Sequence, residues 1–352
     1  MRPKAVHRGG QRSGGSVLIV SLWTVLLLGL MAAALCAHVS NRAAAAWDVA
    51  NRAVCYRAAR AGVAAAVAEV RHGTNAESGA LSAWNNNPAG MKDIPVGGGV
   101  FTVHHTVGDA GGVVHTNYGV ADECGRININ GITNEVTCWL VTSLLRDAAC
   151  LSDQDAEKLA ASIADWIDED GQARDGGSEV GPNTALDGAY AVHNGRITIL
   201  EELLLVRGMD TNIFSAIADH LTIHGTNTGV NLNTADYAVL RALALARNGA
   251  QDADAEGLVK RIVEFRDAGN VLQTLDKRAI RKQLFGEGEM SASQRGQWTI
   301  LEWLLNHHLI AVQAGYFCGI STGRLPDGAA VERRIAFVFD GTTGEMKAWH
   351  EE

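Results

Sequence analysis

The carboxylates best suited to chemistry in this chain are Asp165, Asp168 and Asp170, joined by Glu179 a little further on, all within ADWIDEDGQARDGGSE. Asp165 and Asp168 are three apart on an expected helix that stops at Gly171, so both can face the loop that follows. Asp170 and Glu179 would supply further oxygens from that loop. Hard oxygen donors in this number suit Ca²⁺ rather than a transition metal. The spacing is not that of an EF-hand, whose alternating acids, central glycine and terminal glutamate occupy one loop. The alternative is a solvated acidic helix end, although acids there oppose the helix dipole. Neither H-E-x-x-H nor a P-loop pattern occurs, and the adjacent pairs His104–His105 and His307–His308 direct their side chains apart. A non-enzymatic protein is expected.

The elements that must hold these acids begin with a basic leader, MRPKAVHRGGQRSGG, which ends at Gly15. It runs straight into an apolar segment, Ser16 to Ala37, of 22 residues without a formal charge. As a helix rising about 1.5 Å per residue, that segment is long enough to span a bilayer core. Arg2, Lys4, Arg8 and Arg12 all lie before it, which keeps the leader cytoplasmic and sends the body across. A secretory signal has a shorter apolar run of about 7–15 residues, with a small-residue cut site on its far side. Here an alanine-rich amphipathic pattern continues to about Val70, which favours one long helix. The net charge of −9 includes the four leader cations, so a body cut from its leader is more acidic still. Such a surface disfavours nucleic acid and anionic lipid.

Five stretches follow from patterning: a leader over 1–15, a transmembrane and amphipathic helix over 16–72, a first β region over 73–136, an α-domain over 137–312, and final strands over 313–352. VFTVHHTV and NYGVADECGRININ read as strands, and ERRIAFVFD with MKAWH reads as a hairpin about GTTG. Between them LSDQDAEKLAASIADWID, TILEELLLV, DYAVLRALALA, EGLVKRIVEFRDAG and QWTILEWLL read as helices, the first capped by Ser152. A β segment on either side of a helical block predicts one sheet interrupted by an inserted domain, because neither β portion is stable alone. Outside the N-terminal helix, Cys124, Cys138, Cys150 and Cys318 allow three disulfide pairings, with free thiols as the alternative.

GGSVLIVSLWTVLLLGL, DECGRININ, ADWIDEDGQARDGGSE, NGRITILEELLLVRGM and VNLNTADYAVLRAL occur in one order. In that order they resemble the minor pseudopilin K of type II secretion systems, general secretion pathway protein K. The resemblance implies an α+β fold: a type IV pilin-like long N-terminal helix with an antiparallel sheet and a large inserted α-helical domain. It implies cutting between Gly15 and Ser16 by a prepilin peptidase, methylation of the new amine, and a single-pass anchor in the inner membrane with the body in the periplasm. It further implies calcium, other minor pseudopilins as partners in a tip complex, and support of protein export across the outer membrane, with the exported protein as a candidate contact. Pilin-like subunits carry Glu at the fifth mature position; here the fifth residue from Ser16 is Val20, which suits a subunit at the tip. VNLNTADYAVLRAL with LVKRIVEFRDAG also resembles helix-hairpin-helix modules, so a membrane-anchored DNA-binding protein is the alternative. The intervening ALARNGAQDADAEG is acidic and lacks paired glycines, which argues against nucleic acid.

Overall fold

Alanine and leucine, strong helix formers, make the N-terminal run a single helix, α1 (Gly14–His72). The computed structural model describes residues 14–73, 82–108, 114–132, 134–169, 171–177, 194–225, 229–247, 252–326 and 331–352, the side chains of Gly14 to Ser16 excepted. It divides into two units, Met1–Val54 and Cys55–Glu352. In the first unit, the helix is long and apolar enough to cross a membrane, with a mean hydropathy of 2.5 over its best window. Its apolar side chains from Val17 to Val39 stand exposed. The hydroxyls within the run are satisfied by their own helix, Ser21 donating to the Leu18 carbonyl at 2.9 Å and Thr24 to the Ser21 carbonyl at 2.8 Å. That is what an apolar surrounding demands of polar groups.

In chain order, the second unit continues with α2 (Pro88–Met91), β1 (Ile94–Val96), β2 (Gly99–Gly108), β3 (Val114–Asn117), β4 (Ala121–Asp122) and β5 (Ile127–Asn128). Next come α3 (Glu135–Ala148), α4 (Asp153–Ile167), α5 (Thr211–Ile217), β6 (Leu221–Thr222), β7 (Val230–Asn231), α6 (Tyr237–Leu245) and α7 (Asp252–Asp267). Last are α8 (Lys277–Phe285), α9 (Ala292–Asn306), β8 (Ile310–Ala311), β9 (Tyr316–Arg324), β10 (Glu332–Asp340) and β11 (Met346–Glu351). TILEELLLV, expected as an α-helix, forms instead a 3₁₀ segment over Leu200–Leu205. The short helices α5 and α8 have no counterpart in the sequence reading.

An antiparallel sheet runs β1-β2-β9-β10-β11, with β3 beside β2 and β4 beside β9. Alternation sends Phe317, Gly319, Ser321 and Gly323 of β9 and Ile335, Phe337 and Phe339 of β10 to one buried face. The last turns of α1 lie on that face through Cys55, Ala58, Ala59, Val63 and Ala66. Small residues bring the helix very close: Ser321 donates to the Ala59 carbonyl at 2.7 Å, and the Cys55 thiol to the Val331 carbonyl at 3.3 Å. A Cβ on Gly323 would overlap the Cys55 carbonyl oxygen and stand 2.5 Å from the Ala59 nitrogen. On the helix side, a Cβ on Gly62 would overlap the Ser321 hydroxyl.

The chain leaves the sheet after Asp122 and re-enters at Tyr316, on neighbouring strands paired Ala121↔Cys318 and Asp122↔Phe317. What lies between has its own core, built around Leu144, Leu145, Ile163, Leu203, Leu232, Leu243 and Leu301. It is made of two copies of one plan. In each, an N-x-N segment follows a short strand that pairs in parallel with the strand closing the copy, Ile127↔Leu221 in one and Val230↔Ile310 in the other. The second asparagine clamps a distant backbone. Asn130 accepts from the Ile197 amide at 2.7 Å and donates to its carbonyl at 3.0 Å. Asn233 accepts from the Leu272 amide at 2.9 Å and donates to its carbonyl at the same distance. Each also donates to the residue just after the closing strand, Ile223 or Val312.

Because the obstruction at Gly323 is backbone rather than the end of a flexible side chain, relaxation is not available to it. Gly323→Ala is expected to lower the stability of the folded body by more than the ~1–3 kcal/mol usual for overpacking. Denaturant unfolding followed by tryptophan fluorescence checks this, with Gly97→Ala, in open space, as the strained-turn control.

Candidate functional site

The acidic loop sits where the first copy departs from the second. After α7 the second copy reaches its clamped residue, Leu272, across 268–271, whereas after α4 the first reaches Ile197 only across 168–196. Long connections in compact domains are more often functional than structural. α4 begins as its sequence dictates, with Ser152 accepting from the Asp155 amide at 3.2 Å and acids in the first turn facing the positive end of the dipole. Leu159, Ile163, Trp166 and Ile167 are buried on its apolar stripe. The helix ends at Ile167 with Asp168 as an extended cap, earlier than the Gly171 stop expected from sequence.

Asp165 is fully buried, and a buried carboxylate needs charge and hydrogen bonds to offset its lost hydration. Both come from Arg174. Its backbone amide lies 3.2 Å from each Asp165 oxygen, and its guanidinium Nη1 lies 3.5 Å from Asp165 Oδ1 and 2.9 Å from Asp168 Oδ2. The loop turns back tightly enough that Gly177 donates to the Arg174 carbonyl at 2.9 Å. A Cβ on Gly177 would overlap Asp165 Oδ2, so the carboxylate lies in a cradle that only glycine leaves open. The structure thus brings together Asp165 and Asp168 about one cation. Asp170 and Glu179 lie outside the described residues. Among the described residues, no group of three or more His, Cys, Asp or Glu side chains is disposed to hold a metal ion. The two carboxylates nonetheless have the donor chemistry of a calcium site, and the guanidinium shows that the cradle accepts positive charge.

A second polar cluster closes the exit from the sheet. Asp122 caps the turn Glu123–Gly125, accepting from the Cys124 amide at 2.9 Å. Its other oxygen accepts from Asn231 and from the Thr234 hydroxyl, each at 2.7 Å. Glu123, also buried, pairs with Arg126 at 2.6 Å and accepts from the Thr222 hydroxyl. Nearby, His220 meets Asp236 at 2.7 Å; the carboxylate raises the histidine pKa against burial, and the histidine helps hold the carboxyl below its ordinary range. DECGR and VNLNT, read as family segments in the sequence, therefore tie the exit from the sheet to the start of the second copy. The repeated N-x-N was the available signal for this cluster and went unread as one.

Other sequence candidates fall elsewhere. Gly15 and Ser16 lie in the first turn of α1. Cys124, Cys138, Cys150 and Cys318 are all free, and burial pushes the Cys124 thiol up to about 12 and that of Cys318 well above its usual value. Gly319-Ile320-Ser321-Thr322-Gly323, which the sequence reading missed, has the G-x-S-x-G spacing of a nucleophile elbow, but it lies within strand β9 with Ser321 buried against α1. An elbow needs a strand-to-helix turn that exposes the serine. In VNLNTADYAVLRAL, the first segment of the helix-hairpin-helix resemblance, Asn231 and Asn233 are committed to internal hydrogen bonds.

Burial pushes the Asp122 carboxyl from about 3.8 up to about 6, its three hydrogen-bond donors pulling the other way. The folded state therefore holds this proton more tightly than the unfolded chain, so the stabilising contribution of Asp122 is full below about pH 4 and is lost as pH rises through 6. Measured as the difference in unfolding free energy, Asp122→Asn is expected to gain on wild type by up to about 3 kcal/mol between pH 4 and 7. Urea midpoints of both proteins across that range check the sign.

Residues 125–226, which span the first copy and the acidic loop, match the family described as type II secretion system (T2SS), protein K. No curated protein sequence matches the chain. Among solved structures, the chain is similar to one chain in "The Crystal Structure of the GspK-GspI-GspJ complex from enterotoxigenic Escherichia coli Type 2 Secretion System". The similarity has a TM-score of 0.61 at 15% identity and covers 88% of this chain and 99% of that one. At that identity the likeness concerns the fold: the long helix, the antiparallel sheet and the helices set between its strands. Residues 125–226 are thus similar in sequence to type II secretion system protein K, and the chain shares its architecture with a chain of that complex.

Proposed function

We propose that the protein is a minor pseudopilin at the tip of the type II secretion pseudopilus, a non-enzymatic part that supports protein export across the outer membrane. The observation that carries this reading is the protein K match over 125–226 on a body whose fold is that of a chain in a GspK-GspI-GspJ complex. By analogy, its partners are the other minor pseudopilins of a tip complex, with the exported protein as a further contact. The bare apolar stretch from Val17 to Val39 supports a single-pass anchor in the inner membrane with the body in the periplasm. Helix packing in lipid would use small residues such as Gly29, Ala32 and Ala33, and Gly29 has open space where a side chain would stand.

The tip position follows from Val20 and from bulk. A carboxylate within the membrane helix is costly unless a neighbour's charge meets it, so a subunit with Val20 in that place need not dock beneath an earlier one. The large inserted α-domain would block a further subunit from following in the same stack. Ca²⁺, held by Asp165 and Asp168 with Asp170 and Glu179, would fix the long loop after α4 by bridging carboxylates from two segments.

Prepilin peptidase is expected to cut between Gly15 and Ser16, with methylation of the new amine. Intact mass and N-terminal sequencing of the protein from cell membranes should give a chain that starts at Ser16, and Gly15→Leu should leave the precursor uncut. A mature chain starting near Leu35, or one that keeps its leader, would end the pseudopilin reading. Co-purification from detergent with the other minor pseudopilins tests the tip complex, and finding the subunit along the filament shaft counts against it.

A further inference from the structure

We infer that the outward face of α1 between Arg57 and Arg71 is the seat of a partner helix that carries carboxylates, supplied by another subunit of the pseudopilus. This rests on the pseudopilin reading above and adds to it the chemistry by which such a partner is recognised.

The apolar side of this part of the helix is already occupied, with Cys55, Ala58, Ala59, Val63 and Ala66 buried against the sheet of their own unit. The opposite side is cationic. Arg57, Arg60, Ala64, Ala68 and Arg71 are exposed there, and at 3.6 residues per turn they fall within about 80° of one another around the helix. Glu69, the acid of this stretch, is turned about 100° from the edge of that face. A cationic face thus stands on a chain whose net charge is −9. Two of its arginines are held in place. The Arg60 guanidinium lies over the Tyr56 ring, 5.9 Å from its centroid, and the stem of Arg71 runs beside Gly344, where an added Cβ would stand 3.5 Å from Arg71 Cδ. Glu351, at the Tyr56 end, is engaged by the Tyr56 hydroxyl at 2.8 Å and by the Trp349 indole at 2.7 Å. Cations settled in this way lose little freedom on meeting a ligand.

Charge and shape together choose the occupant. A second copy of this chain, docked about a two-fold axis, would set arginine against arginine. An anionic lipid surface calls for bulky apolar side chains beside the cations, and this face has only Ala64 and Ala68 between them. Those alanines leave room for another helix to approach closely, while guanidinium forks suit carboxylates better than any other partner side chain. Arg57 and Arg60 stand at one end of a stretch about 21 Å long and Arg71 at the other, so a helix with acids four turns apart is gripped at both ends. The rest of the chain is acidic on balance and repels such a helix, which gives the contact its register and orientation.

The test titrates the full-length protein in detergent with the other minor pseudopilins of its own secretion system. Two variants accompany wild type: one combines Arg57→Glu, Arg60→Glu and Arg71→Glu, and the other changes the same three residues to Lys. Reversal of charge is expected to weaken binding at least about tenfold at low salt, with the difference shrinking as added salt screens exposed charges. The Lys variant should keep affinity within a few fold. Its new amines should couple, on treatment with a carbodiimide, to Asp or Glu side chains on the helix of a partner pseudopilin. That coupling decides the matter even where the Glu variant fails to fold. Equal affinity of wild type and a normally melting Glu variant overturns the inference while leaving the pseudopilin reading standing. Absence of binding by wild type to any of the other minor pseudopilins ends that reading and the inference with it. Coupling between two copies of this chain, or a Glu variant that loses only its adhesion to phosphatidylglycerol vesicles, gives the face to a different occupant and overturns the inference.

Discussion

The pairing of β4 with β9 is the constraint on which the rest of this structure depends. It makes the strand that leaves the sheet and the strand that returns direct neighbours, in a register set by Ala121↔Cys318 and Asp122↔Phe317. An inserted region of any length is tolerated in this way, because the sheet closes behind it and the entropy of closing a long loop grows only slowly with its length. The exit is held by hydrogen bonds rather than apolar contact. Asp122 ties β4 to Asn231 and Thr234 at the start of the second copy, and Glu123 ties the following turn to Thr222 at the end of the first. Both carboxylates are buried, so these contacts are specific: a sheet and a helical domain set at a different angle would leave each charge without its donors.

Within the insertion the same economy is used twice. Asparagine is suited to clamp a backbone because its side chain offers one acceptor and two donors, enough to replace the ladder partners that a strand of two residues lacks. Asn130 and Asn233 each hold the amide and carbonyl of one residue and reach a second carbonyl besides. The copies differ where one carries the acidic loop. The second closes directly from α7 to Leu272, whereas the first takes the longer path over 168–196, from which Arg174 reaches back to the buried Asp165 of α4.

On the buried face of the sheet, helix and strand approach until backbone nearly meets backbone. Cys55, Ala58, Ala59, Val63 and Ala66 present little side chain, and Gly323 presents none. Close contact here gives a large number of dispersion contacts per residue and lets Ser321 hydrogen-bond into the helix. The preceding part of α1 differs: its apolar side chains from Val17 to Val39 stand exposed in their own unit, on a helix long and apolar enough to cross a membrane.

Much of this was determined along the chain. The uncharged run after Gly15, the alternation in VFTVHHTV and ERRIAFVFD, the Ser152 cap and the apolar stripe of α4 each depend on residues a few positions apart, and local periodicity records them. The order of β, α and β segments was sufficient to imply one sheet with an insertion. Tertiary structure alone decided what depends on residues far apart. That Asn130 and Asn233 are equivalent clamps is visible only when Ile197 and Leu272 are found in the same place beside them. Asp165 and Asp168 were legible as candidate ligands from their spacing, but their counter-ion was not, because Arg174 reads in sequence as one more polar loop residue. Likewise Ser321, with the spacing of a nucleophile, becomes a packing residue only once α1 lies across it. In each case a side chain's chemistry is set by its neighbours in space, and chain order does not encode those neighbours locally.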